Sequence, residues 1–138
     1  MSALWTIHSI TRWLVVLVAI VLTIRLILGL VKHQPYDKTA NALTGAFGGL
    51  MDLQMLLGLL FFVLDGLGQT GFPAYRWEHA ITMLLAVIAA HLPSMWKKKD
   101  DFLRTRNTLI AVTASLLLII IGVGSLGWGR WLHVHGLF

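Results

Sequence analysis

Four uninterrupted apolar runs constrain this chain more than any other feature. They lie at about residues 4–31, 42–67, 77–96 and 109–131. Each holds roughly 20 residues or more, which at about 1.5 Å per residue crosses a hydrocarbon layer. In lipid a backbone must satisfy its own N–H and C=O groups, so a spanning segment is a helix or a strand of a closed barrel. Strand-like alternation is absent here. Polar or Gly-rich links separate the runs: KHQPYDKTAN (32–41), DGLGQTGFPAY (65–75) and KKKDDFLRTR (97–106). The sequence therefore predicts an all-α polytopic membrane protein, a four-transmembrane-helix up-down bundle forming one domain over residues 1–138.

Composition agrees. Of 138 residues, 57% are hydrophobic and 12% charged, too few polar groups for a soluble surface of this size. There is no cysteine. That excludes disulfides, thiolate metal sites, covalent haem attachment and a cysteine nucleophile. The first run lacks a basic start and is too long for a signal peptide, so it is expected to be retained. Trp5, Trp13, Trp77, Trp96, Trp128 and Trp131 cluster near run ends, as interfacial belts do.

Charge sets orientation. Lys32, Lys38, Lys97, Lys98, Lys99, Arg104 and Arg106 flank the links on one side, with Arg25 approaching it. Arg12, Arg76 and Arg130 lie toward the other. By the positive-inside bias the basic links face the cytoplasm and both termini lie outside. The net charge of +5 is a topology signal, and the lipid bilayer is the expected partner. No nucleic-acid partner is expected, because the basic residues flank spans and form no binding module.

Ionisable residues inside spans are costly and carry the functional reading. His8 lies near the outer end of the first helix, and Glu78 and His79 open the third helix at the same end. Counting from the span midpoints, His8 and His79 both sit roughly 12–14 Å outside the midplane. Two imidazoles at one height on alternate helices suit the axial positions of a b-type haem. The small residues Gly58, Ala111, Ser115, Gly122 and Gly129 would let the second and fourth helices stand back from its edges. The same pattern also fits interhelical hydrogen bonding and close packing without a cofactor. Arg12, one turn from His8, is assigned to a haem propionate or to Glu78. Glu78 either orients a histidine or marks the helix N-terminus.

Other polar residues are less decisive. His133 and His135 follow the fourth helix on the outer side and could replace one member of the pair. His33 lies in a basic link. Arg25, Asp52 and His91 form an inner group that could carry protons, bind a quinone or lock helices. Asp52 looks the most buried acid in the sequence, Arg25 is its natural partner, and His91 has none evident. One haem is expected, not two, because His79 and His91 lie about 120° apart around their helix.

The stretches HSITRW (8–13), LQMLLGLLF (53–61) and EHAITMLLA (78–86), with the Trp-containing end of the fourth helix, resemble a group of short bacterial four-helix membrane proteins labelled cytochrome b-like. Relatives tend to carry a His just before the Leu-Gln pair, where this chain has Asp52. The resemblance implies a bacterial inner (cytoplasmic) membrane location and points to His8 and His79.

Three functions follow as expectations. The first is a haem b cytochrome passing electrons between quinol and a partner near the outer face. Its cofactor would be held by His8, His79, Arg12 and Glu78, with His8 and His79 on the haem iron and no catalytic residue assigned. The second is a non-catalytic accessory subunit of a larger respiratory or photosynthetic complex, or a homo-oligomer. The third is a small transporter or quinone-binding module built on Asp52, Arg25 and His91.

Overall fold

The structure, a computed structural model, describes residues 2–127. Trp128, Gly129, Arg130, Trp131, His133 and His135 lie outside the described residues. Four long helices make up the fold: α1 (Ser2–Val31), α2 (Lys38–Asp65), α3 (Ala74–His91) and α4 (Asp101–Gly124). A π-helical turn, Gly66–Thr70, prolongs α2, and a 3-10 turn, Leu92–Trp96, prolongs α3.

Helix starts differ from the apolar runs because capping, not hydropathy, sets them. Asp37 accepts the N–H of Ala40 at 2.9 Å, so α2 begins at Lys38 rather than near residue 42. Asp100 accepts the N–H of Leu103 at 2.8 Å, so α4 begins at Asp101 rather than near 109. Regular α3 stops at His91 because Pro93 has no N–H and crowds the carbonyl four residues back. The end of α1 is a Schellman turn. Gln34 N–H donates to Gly29 C=O at 2.9 Å, and His33 takes the left-handed position with φ 52°.

Each helix packs on two neighbours: α1 on α2 and α4, α3 on α2 and α4. Helices α1 and α3 therefore stand diagonally across the bundle. Its core is small-surfaced. Val15, Ala19, Leu22 and Leu26 of α1 meet Phe47 and Met51 of α2, Ala86 and Ala90 of α3, and Val112 and Ile119 of α4. Alanines on α3 let α4 approach closely enough for Ser115 Oγ to donate to Ala86 C=O at 2.8 Å.

The outside is more apolar than a soluble protein tolerates. On α1 alone, Ile7, Ile10, Leu14, Leu17, Val21, Ile24 and Leu28 are exposed at helical spacing. All four helices, with the two turns, are long and apolar enough to cross a membrane. The architecture is thus an all-helical four-helix bundle suited to a multi-pass membrane protein.

Candidate functional site

Helix α4 ends at Gly124, so its last carbonyls lack intrahelical partners. One of them, Gly122 C=O, is taken by His79 Nδ1–H at 2.8 Å and by the Ser125 hydroxyl at 2.7 Å. Gly122 is the residue that permits this, since a Cβ there would run into Met83 and Thr82 of α3. With Nδ1 carrying the proton, His79 Nε2 keeps its lone pair. A backbone carbonyl on one ring nitrogen with the other left basic is how ligating histidines are oriented.

His79 lines a cavity of about 260 Å³ in the half of the bundle that holds the start of α1, and His8 lines the same cavity from the diagonal helix. The His8 ring lies against Gly58 of α2, where a Cβ would come within 3.1 Å of its Cε1. Gln54 of α2 holds it. The amide nitrogen donates to His8 C=O at 3.0 Å and lies 3.3 Å from His8 Nε2, while Thr11 Oγ1 donates to the amide oxygen. An amide N–H can only donate, so His8 Nε2 accepts and the proton sits on Nδ1. That Nδ1 is buried without a hydrogen-bond partner among the described residues.

Two arginines also line the cavity. Arg12 sits one turn below His8, its guanidinium 5.5 Å from the centre of the Trp13 ring. Arg76 is only 7% exposed yet fully engaged. It pairs with Asp65 at 3.1 Å, donates to Thr70 Oγ1, to Gly71 C=O at 2.9 Å and to Phe62 C=O at 3.2 Å, and faces the rings of Phe61 and Phe62. It ties the π-turn back onto α3 beside the cavity. Sequence reading counted Arg76 only as an outer charge. Its spacing of three residues from His79 places both on one face of α3, and that was the available signal. Gln54 and Thr11 were also missed as the partners of His8.

Of the expected site residues, His8, His79 and Arg12 come together on this cavity. Glu78 does not: its side chain is exposed, away from the cavity lining. Among the described residues no group of three or more His, Cys, Asp or Glu side chains could hold a metal ion.

The inner group is arranged differently from the expectation. Asp52 pairs with His91, whose Nε2 lies 2.7 Å from Asp52 Oδ1. Arg25 instead pairs with Asp37 at 3.1 Å and donates to Pro35 C=O at 3.0 Å. Height decides this. Arg25 lies six residues from the inner end of α1, and its long stem reaches out to the interface. Asp52 stands 14 residues, roughly 21 Å, above the start of α2. Nor is Asp52 the most buried acid. Its side chain is 55% exposed, against 21% for Asp65.

The residues present fit a bis-imidazole haem site in their donor chemistry. His79 offers an Nε2 lone pair with its tautomer fixed by a backbone carbonyl, His8 offers the Nε2 lone pair that Gln54 faces, and Gly58 leaves the His8 ring its space. At about 260 Å³ the cavity is smaller than the roughly 300–1,000 Å³ of ordinary ligand pockets. Met55 and Met83 are in its lining, and unbranched thioethers repack at low cost. Comparison with family models, curated proteins and solved structures finds no match.

Proposed function

We propose that this chain is a small integral-membrane b-type cytochrome that passes electrons between quinol and a partner near the outer membrane face. In this reading it lies in a bacterial inner membrane with both termini outside. One observation carries the proposal: His8 and His79, from diagonal helices, line a single cavity, and each has one ring nitrogen set by a hydrogen bond from or to the protein.

His8 and His79 would hold one haem b, which when bound supplies one-electron redox chemistry. The protein's part is orientation and environment. Gly122 C=O fixes the His79 tautomer and leaves the lone pair on its other nitrogen. Gln54 holds His8 Nε2 until that nitrogen is taken over as a ligand. Arg12 would neutralise a propionate, while Arg76 pairs with Asp65 and donates to Thr70 and two backbone carbonyls. Apolar walls from Val15, Phe62 and Ile119 keep the site dry, which is a lever on potential.

Haemin titration of the purified detergent-solubilised protein tests the reading. One equivalent bound per chain, with a low-spin absorption spectrum, is expected. Absence of saturable binding in folded protein would overturn it.

A further inference from the structure

We infer that a cleft between the inner parts of α2 and α3 binds the headgroup of a membrane-soluble quinol. This gives a place to the quinol of the proposed electron transfer, at a site separate from the outer cavity.

The cleft measures about 260 Å³ and includes Asn41, Thr44, Gly45, Gly48, His91 and Ser94 in its lining. Its floor is flat. Nothing lies within 4 Å of where a Gly45 Cβ would be, and Gly48 meets the edge of the His91 ring, its absent Cβ 3.3 Å from Cε1. A planar ring can lie against such a surface where side chains would hold it off. Polar groups stand at both ends of that floor. Asn41 and Thr44 lie at the inner end, and His91 lies one turn beyond Gly45.

His91 is prepared to accept a proton in a hydrogen bond. The Asp52 carboxylate takes its Nε2–H at 2.7 Å, which leaves Nδ1, on the edge beside Gly48, as the acceptor. The complement of this edge is a hydroxyl. A ligand at the His91 end comes from the hydrocarbon side, because Gly48 lies ten residues, roughly 15 Å, along α2 from Lys38. Tyr36 and Lys97 line the opposite end of the same cleft, beside the basic links, and that end is where a phospholipid phosphate or glycerol would sit instead. A quinol headgroup is planar, carries hydroxyls at opposite ends and dissolves in the hydrocarbon. It would also cover an Asp–His pair that is half-exposed at a depth where uncovered polar pairs are costly.

Equilibrium titration of the full chain in phosphatidylcholine nanodiscs with decylubiquinol, kept reduced under argon, tests the site. One saturable site is expected, weakened about tenfold or more by His91→Ala, since the lost bond is to a carboxylate-backed imidazole. Gly45→Leu, whose Cβ would meet nothing within 4 Å, is expected to abolish binding while circular dichroism stays unchanged. No saturable binding to the wild type, or equal affinity in both variants, would overturn the inference. So would displacement of decylubiquinol by phosphatidylglycerol at equal mole fraction, which would identify a lipid-headgroup site. Haem content measured on the same samples separates the two proposals. Haem without quinol binding removes this one alone, and quinol binding without haem removes the other.

Discussion

His79 and Gly122 illustrate what single residues decide here. A carbonyl that α4 cannot use becomes the acceptor that fixes an imidazole, and the absence of one Cβ brings the two within 2.8 Å. The histidines were legible in the sequence because their depths could be counted from the spans. Gln54 was not, since an amide on a neighbouring helix has no spacing relation to His8. Its placement yields a prediction: Gln54→Leu removes the donor on His8 Nε2 and is expected to tighten haem binding several-fold in haemin titrations. Weaker binding would instead mean that Gln54 orients the ring for ligation. A second prediction concerns Asp37, outside the spans. The Ala40 N–H, and then Arg25, hold its carboxyl below the ordinary value. A depressed acid contributes stability above the unfolded pKa of about 3.9, and loses it as pH falls through the lower folded value. Thermal unfolding in detergent should therefore be insensitive to this group from pH 7 to 5 and weaken below about pH 3.9. Asp37→Asn, which keeps a cap without titrating, should remove that part of the pH dependence. Identical acid profiles for the two proteins would refute the assignment.

At the scale of the helix, ends and contacts follow different rules from the spans. Hydropathy located all four helices, yet it misplaced the starts of α2 and α4, because a capping aspartate lies in the polar link where hydropathy carries no signal. Pairing between elements was harder still. Asp52 was matched to Arg25 by charge, whereas the bundle sets His91 of the adjacent helix against it. Sequence distance cannot supply the vertical offset between helices. The contact of α3 with α4 is tested by Gly122→Ala, which forces Met83 and Thr82 outward. Overpacking of this kind costs about 1–3 kcal/mol, read as a lowered unfolding temperature in detergent. Unchanged stability would mean the helices are not so close. The left-handed His33 gives the opposite sign. His33→Gly relieves a conformation costly for a side chain and should raise stability by less than about 1 kcal/mol, the flexibility of Gly in the unfolded chain taking back part of the gain.

For the whole molecule, the informative feature is its inversion, with alanine, serine and glycine between helices and long aliphatic side chains outside. Four apolar runs made that architecture readable before any contact was known. What the sequence could not convey was that two cavities would form at opposite ends, one around His8 and His79 and one beside His91. Both depend on which helices are diagonal and which adjacent. Orientation is testable without background, because the natural chain has no cysteine. Single cysteines at Lys98 and at Gly68 should differ in intact spheroplasts: an impermeant maleimide labels position 68 and spares position 98. Labelling of 98 in preference to 68 would reverse the topology and place the histidine cavity at the cytoplasmic face. The central claim is tested most directly by reduced-minus-oxidised difference spectra of the protein purified from cells with ample haem supply, alongside His8→Ala and His79→Ala. Sharp b-type bands at one haem per chain, lost or converted to high spin in each variant, are predicted. A wild type without stoichiometric haem, or variants whose bands match it, would contradict the account.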